Sequence, residues 1–120
     1  MSIKKHINWN GEKYYGYIDL GTGIQEPDSL PEARDALVFL VVAANGAWKV
    51  PIAYFFLDGL SGEERANLMT VALQKLHDVG VTVLATVCDG PTYNFTMMKE
   101  LGANLRPSSL QIAFPHPINW

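Results

Sequence analysis

Residues 37–42 read Leu-Val-Phe-Leu-Val-Val with no polar interruption, and this run constrains the fold more than any other stretch of the chain. Bulky and β-branched side chains in succession favour extended backbone. Because the apolar character is continuous rather than alternating, the run (residues 36–44) predicts a strand covered on both faces, as in a layered sheet. Asn45-Gly46 follows as a hairpin signal, and residues 48–57 return as the antiparallel partner. Pro51 removes one ladder donor from that partner, so an edge or a bulge is expected there.

A similar unit precedes it. Residues 3–9 alternate weakly, Asn10-Gly11 marks a turn, and residues 14–20 follow with aromatic and β-branched side chains. Residues 21–35 are rich in Gly, Pro, Asp and Glu and read as a loop. After the second hairpin the pattern changes. Ser61-Gly62-Glu63-Glu64 is a capping box, in which the Ser61 hydroxyl and the Glu64 carboxylate satisfy each other's orphan amides. The helix it opens carries Leu68, Met69, Ala72, Leu73 and Leu76 on one stripe, with Asn67, Thr70, Gln74 and Asp78 mostly opposite, and stops at Gly80. Residues 81–88 then form a short apolar strand, placed after its helix as a parallel crossover would be. Residues 92–101 fit a second helix ended by Gly102, and the tail, with three prolines, reads as loop with one short strand near Ile112. The fold class is α/β: a mixed sheet in which antiparallel hairpins are followed by a βαβα crossover.

A chain of 120 residues is one domain or part of one. Its net charge of −3 argues against a surface that neutralises phosphates. Lys4, Lys5, His6 and Lys13 form only a modest basic cluster, so the segment alone is expected to bind nucleic acid poorly. No apolar run approaches the ~20 residues of a membrane span, and no signal-peptide core is present, which leads to the expectation of a soluble, intracellular protein. The single cysteine, Cys88, has no disulfide partner, and within an apolar strand it is expected to be a buried, inert thiol. His6, His77 and His116 lack close metal-ligand spacing, so a histidine zinc site is not expected.

Open sheets with crossovers carry their sites at the carboxyl ends of the strands. Asp89 stands there, directly after residues 83–88, with Gly90 expected to let the backbone turn behind it. Asn94, five residues on, shares a helical face with Met97, Met98 and Leu101, which directs its amide toward Asp89. Position alone also allows the plainer reading that Asp89 caps the following turn.

The stretch Trp48-Lys49-Val50-Pro51-Ile52-Ala53-Tyr54-Phe55, the capped helix, and Val87-Cys88-Asp89-Gly90 with Asn94 together resemble P-element-type transposases, the group that includes vertebrate proteins with a Thanatos-associated-protein zinc finger. The opening Met1-Ser2-Ile3-Lys4-Lys5 and the closing Phe114-Pro115-His116-Pro117 fit the same pattern, so the resemblance runs over essentially the whole chain. It implies an RNase H-like fold, located in the nucleus, that cuts and joins DNA at transposon ends with two Mg2+ or Mn2+ ions held by carboxylates. Asp89 maps onto the second catalytic aspartate and would be a metal ligand, supported by Asn94 and Gly90. The resemblance further implies a first aspartate just before the Met-Ser-Ile stretch and a final acidic residue beyond a GTP-binding insertion. Neither lies in residues 1–120. The expectation is therefore an incomplete RNase H-like domain, with its first strand truncated and its C-terminal part and GTP-binding insertion absent, that is inactive alone and prone to self-association through an unpaired sheet edge.

Two other readings compete. Tyr17-Ile18-Asp19-Leu20-Gly21-Thr22-Gly23 resembles the first phosphate loop of the actin and sugar-kinase group, which would make the chain a nucleotide-binding lobe. Against this, a hairpin precedes Asp19 and a second glycine-rich loop is missing. Alternatively, the aromatic residues Trp9, Tyr14, Tyr15, Tyr17 and Trp48 would form the binding face of a domesticated or remnant protein- or DNA-interaction module without catalysis.

Overall fold

The computed structural model describes residues 1–6, 8–9, 11, 14–16 and 32–118. The chain divides into two compact units, Met1–Gly59 and Leu60–Trp120.

In the first unit, β1 (Asn8–Trp9) and β2 (Tyr14–Tyr15) pair antiparallel, Asn8 opposite Tyr15 and Trp9 opposite Tyr14. The expected hairpin is present in this core, and its outer part, residues 17–20, lies outside the described residues, as does most of the loop that follows. The second hairpin joins β3 (Asp35–Val42) to β4 (Lys49–Leu57). Its turn is closed by the Gly46 amide on the Ala43 carbonyl and by the Ala47 amide on Asn45 Oδ1. Gly46 has a φ of 74°, where a Cβ would be strained. The register steps from Phe39–Ala53 to Leu40–Pro51, so Ile52 is the extra residue of a β-bulge. Pro51, with no amide to give, thus sits where the ladder is already broken. The first residues of the chain lie along the other side of β3: the Ile3 amide donates to the Arg34 carbonyl, and the Ala36 amide donates to that of Met1.

Among the described residues, the buried side chains of this unit are Ala33, Ala36, Phe39 and Leu57, and Phe39 meets Phe55 edge-on at 5.8 Å. One expectation is corrected here. Continuity of the apolar run predicted a strand covered on both faces, yet Val38, Leu40 and Val42 of β3 are about half exposed and Tyr54, opposite Val38, is 68% exposed. These side chains share one face, because β side chains alternate. Within this unit that face is not covered.

The second unit is built on two helices, α1 (Gly62–Asp78) and α2 (Thr92–Leu101). The capping box forms as expected: Ser61 Oγ accepts from the Glu64 amide at 3.2 Å, and Glu64 Oε2 accepts from the Ser61 amide at 2.9 Å. Both helices end in the two-bond arrangement that puts a residue beyond the cap back onto the last turn. In α1, Val81 and Gly80 donate to Leu76 and His77. In α2, Ala103 and Gly102 donate to Met98 and Lys99. Gly102 has a second reason to be glycine, since a Cβ there would lie 3.1 Å from Pro115 Cδ.

The stripe on α1 begins earlier than its hydrophobic residues suggest. Gly62, Arg65, Ala66 and Leu73 are its buried positions, with Leu68, Met69, Ala72 and Leu76 only partly covered. At Gly62 the two helices approach so closely that a Cβ would stand 2.6 Å from Thr96 Cγ2 and 2.8 Å from the Tyr93 carbonyl oxygen. Arg65, 6% exposed, donates from Nε to the Leu60 carbonyl and lays its guanidinium 3.9 Å above the centre of the Tyr93 ring.

The expected crossover strand is not confirmed. Residues 81–88 pair with no strand among the described residues, and apart from Val81 their amides and carbonyls take part in no backbone hydrogen bond. Leu84 and Val87 are 78% and 96% exposed. An extended apolar segment becomes a strand only when a neighbour accepts its ladder, and none does so among the described residues. Among the described residues the tail holds a single bridge, Asn104 with Gln111, around the 3-10 turn Pro107–Ser109, so the strand expected near Ile112 reduces to that contact.

Replacing Gly62 by Ala is expected to destabilise the chain by about 1–3 kcal/mol in urea denaturation, since backbone as well as side chain must give way; an unchanged midpoint would mean the helices part freely there. The Glu64 carboxyl is held below its ordinary value, first by the Ser61 amide and then by the Ser61 hydroxyl. A depressed carboxyl stabilises the fold above the unfolded-state pKa and loses that contribution as pH falls through the folded one. Ser61→Ala keeps the amide and removes only the hydroxyl, the smaller cause, so it should flatten the acid limb of a stability-versus-pH curve below about pH 4.5 only in part.

Candidate functional site

Asp89 ends the extended apolar segment, and its carboxylate is exposed. The residue that reaches it comes from α2. Asn94 lies on the inward face of that helix with Met97, 7% and 3% exposed respectively. Its side-chain Nδ2 donates both to Asp89 Oδ1 at 2.7 Å and to the Asp89 main-chain carbonyl at 3.1 Å. The expected meeting of Asn94 with Asp89 is thus present. The capping alternative finds no support in the bonding: the N-cap of α2 is Pro91, with no side-chain hydrogen bond, and Asp89 accepts from an amide side chain rather than from the helix's first amides.

Asp89, Gly90 and Asn94 border an open cavity of about 750 Å³ whose lining includes Leu73, Met98 and Phe114. Gly90 does not play the part expected of it. Its backbone does not enter the left-handed region, and a Cβ there would make only an ordinary 3.9 Å contact with Phe95. The turn after Asp89 is made by Pro91 and the start of α2, so glycine is not required.

Cys88 is also corrected, since it is exposed rather than buried. Its thiol is nevertheless pushed above its ordinary value, first by partial desolvation and then by the negative charge of Asp89.

Two features were missed by the sequence reading, and the first had no local signal. His77, in the last turn of α1, and His116, in the tail, bring their rings to 5.6 Å with a tilt of 47°. His116 Nδ1 accepts from the Ile118 amide at 3.2 Å. Arg65 was hidden because a charged residue in a first turn reads as solvated. The spacing Gly62, Arg65, Ala66, Leu73 would have placed it on the buried stripe. Among the described residues, no group of three or more His, Cys, Asp or Glu side chains comes together to hold a metal ion. The Tyr17–Gly23 phosphate-loop motif lies outside the described residues, and so do the side chains of Tyr14, Tyr15 and Tyr17. Trp9 and Trp48 are each about half exposed. No described helix is long and apolar enough to cross a membrane.

Comparison with known proteins places this geometry in context. Residues 1–102 match the family model described as TNP-like, RNase H N-terminal domain. The chain is 31% identical over 119 residues to the human protein named DNA transposase THAP9, an alignment covering 98% of this chain and 13% of that protein. No solved structure matches it.

Cys88 is expected to react with iodoacetamide at pH 8 more slowly than a free thiol, because a raised pKa leaves less thiolate. Asp89→Asn should speed the reaction only in part, since burial is the larger cause. Reaction at the rate of a free thiol would contradict this electrostatic reading.

Proposed function

The chain belongs to the TNP-like RNase H N-terminal domain family, and on that premise we propose that it is a portion of a P-element-type transposase catalytic domain in which Asp89 is one of the metal-holding carboxylates. The observation that carries this reading is an exposed carboxylate at the end of an apolar extended segment, fixed on one oxygen by a buried amide. A metal-binding side chain needs this combination of access and restraint. The α/β composition of the two units is consistent with an RNase H-like domain. We further propose that residues 81–88 become the crossover strand of its sheet. In support, a row of unpaired backbone groups carries apolar side chains, which is what a strand offers to an incoming neighbour.

A divalent Mg2+ or Mn2+ ion, when bound, would activate the attacking oxygen and stabilise the leaving one in cleavage and joining of DNA. Asp89 suits such an ion in kind, being a hard oxygen donor. In number it supplies one carboxylate, and the described residues form no group of three or more His, Cys, Asp or Glu side chains that could hold an ion. No catalytic step is therefore assigned to this chain alone. Its function in DNA transposition, at transposon ends and in the nucleus, is that of a contributor to a site completed by other residues of a longer protein. The family relative fits this role, since the chain spans 13% of that protein's length. The net charge of −3 supports weak DNA binding by the segment itself.

Incubated with supercoiled plasmid and Mn2+, the chain is expected to nick DNA no faster than its Asp89→Ala variant. Nicking that the substitution abolishes would mean that no further ligands are needed. Grafted in place of the 119 matched residues of the human relative, the chain should support excision and its Asp89→Asn version should not. Equal excision by both would remove Asp89 from the site.

A further inference from the structure

We propose that Asn45, in the turn between β3 and β4, is a site of spontaneous deamidation, where the folded turn itself promotes conversion of the asparagine to aspartyl and isoaspartyl residues. The reaction makes three demands. Water must reach the side chain, the next amide nitrogen must be open to attack the side-chain carbonyl, and that carbonyl must be able to carry negative charge. Asn45 and Gly46 are both exposed. Gly46 has no side chain to shield its own nitrogen, and the space beside its Cα is open, since a Cβ there would meet nothing within 4 Å. Ala47 meets the third demand. Its amide donates to Asn45 Oδ1 at 3.2 Å, which holds the side chain forward over Gly46 and puts a donor on the oxygen where charge develops.

The step balances with water as the only reagent. The Gly46 nitrogen loses its proton to solvent base and attacks Asn45 Cγ, forming an N–Cγ bond while the carbonyl electrons move onto Oδ1. Their return breaks the Cγ–Nδ2 bond, and Nδ2 leaves as ammonia with a proton from solvent. Water then opens the cyclic imide, and the Gly46 nitrogen regains its proton. Attack at Cγ gives an aspartyl residue, whereas attack at the main-chain carbonyl carbon gives isoaspartyl, with an extra carbon in the backbone. One bond opposes the reaction, because the Gly46 amide donates to the Ala43 carbonyl at 2.9 Å. An exposed turn bond adds little net stability, so opening it slows the attack by about tenfold at most. Asn67, Asn94 and Asn104 are followed by Leu68, Phe95 and Leu105, whose side chains crowd the attacking nitrogen. Asn94 is also buried, with its amide bonded to Asp89.

The test is incubation of the full folded chain in mildly alkaline buffer, followed by digestion after lysine and arginine. Asn45 is the single asparagine between Arg34 and Lys49, so its aspartyl and isoaspartyl products are read from one peptide. Asn45 should convert ahead of Asn67, Asn94 and Asn104, and within about tenfold of its own rate in urea. Asn45→Gln, whose longer side chain closes its ring far more slowly, should leave that peptide unconverted. Ala47→Pro removes the donor and should slow conversion in the folded chain while leaving the rate in urea unchanged. If that variant does not fold, the comparison of folded with urea-unfolded wild type decides alone. Conversion no faster than at the other three asparagines, or below that tenfold window, would overturn the proposal, because the Ala43 bond would then lock the turn. A folded Ala47→Pro variant that converts as the wild type does would overturn it as well, by removing the turn's part in the reaction.

Discussion

The contact of α1 with α2 at Gly62 governs the second unit. A helix interface normally keeps backbones apart by the width of its side chains, with axes 8–10 Å from one another. Gly62 removes that spacer, so the Tyr93 carbonyl and the Thr96 side chain of α2 come where a Cβ would otherwise be. The close seat has two consequences for α2. Its N-terminal turn is brought under Arg65, whose guanidinium covers Tyr93, and its face bearing Asn94 and Met97 is turned inward. Asn94, on that inward face, donates to Asp89. The same four residues that cap α1 therefore also set the position of the candidate site, since Ser61 and Glu64 fix where the helix begins and Gly62 fixes how near its neighbour stands.

How much of this was legible in the sequence depended on whether the cause was local. Turns and caps are decided within a few residues, which is why Asn45-Gly46, the Ser61–Glu64 box, Gly80 and Gly102 all act as expected. The bulge at Ile52 was legible for the same reason, because Pro51 cannot donate. The Asp89–Asn94 contact, five residues apart across a turn, was within reach of helical geometry. What failed required knowledge of what packs where. A continuous apolar run states that a strand tolerates cover on both faces, and it does not state that the cover is present, so the exposure of Val38, Leu40 and Val42 was not readable. Residues 81–88 carry the composition of a strand, but a ladder belongs to two segments and no single one can declare it. Cys88 was misjudged with them, because its expected burial was inherited from that strand. The His77–His116 pair lies at the far end of the same scale, being joined only by the fold.

On the proposed reading, the exposed apolar segment at residues 81–88 and the incomplete site have one physical origin. An extended segment with unpaired amides and carbonyls, flanked by Leu84 and Val87 in solvent, is costly to leave in water and productive once paired. Asp89 lies at the end of that same segment, and it presents a carboxylate with one oxygen fixed, outside any group of three or more metal-ligating side chains among the described residues. Pairing the segment would therefore hold Asp89 from both directions, by a ladder along the backbone that precedes it and by Asn94 from the helix that follows. In the isolated chain only the second restraint operates. A metal ligand with one restraint is oriented but not rigid, and a site needs its carboxylates placed to within a fraction of an ångström. On the proposed reading, completion of the sheet and completion of the metal site are the same event. The neutral Asn94 amide is suited to it because it holds the carboxylate in place beforehand without consuming the charge that the ion must find.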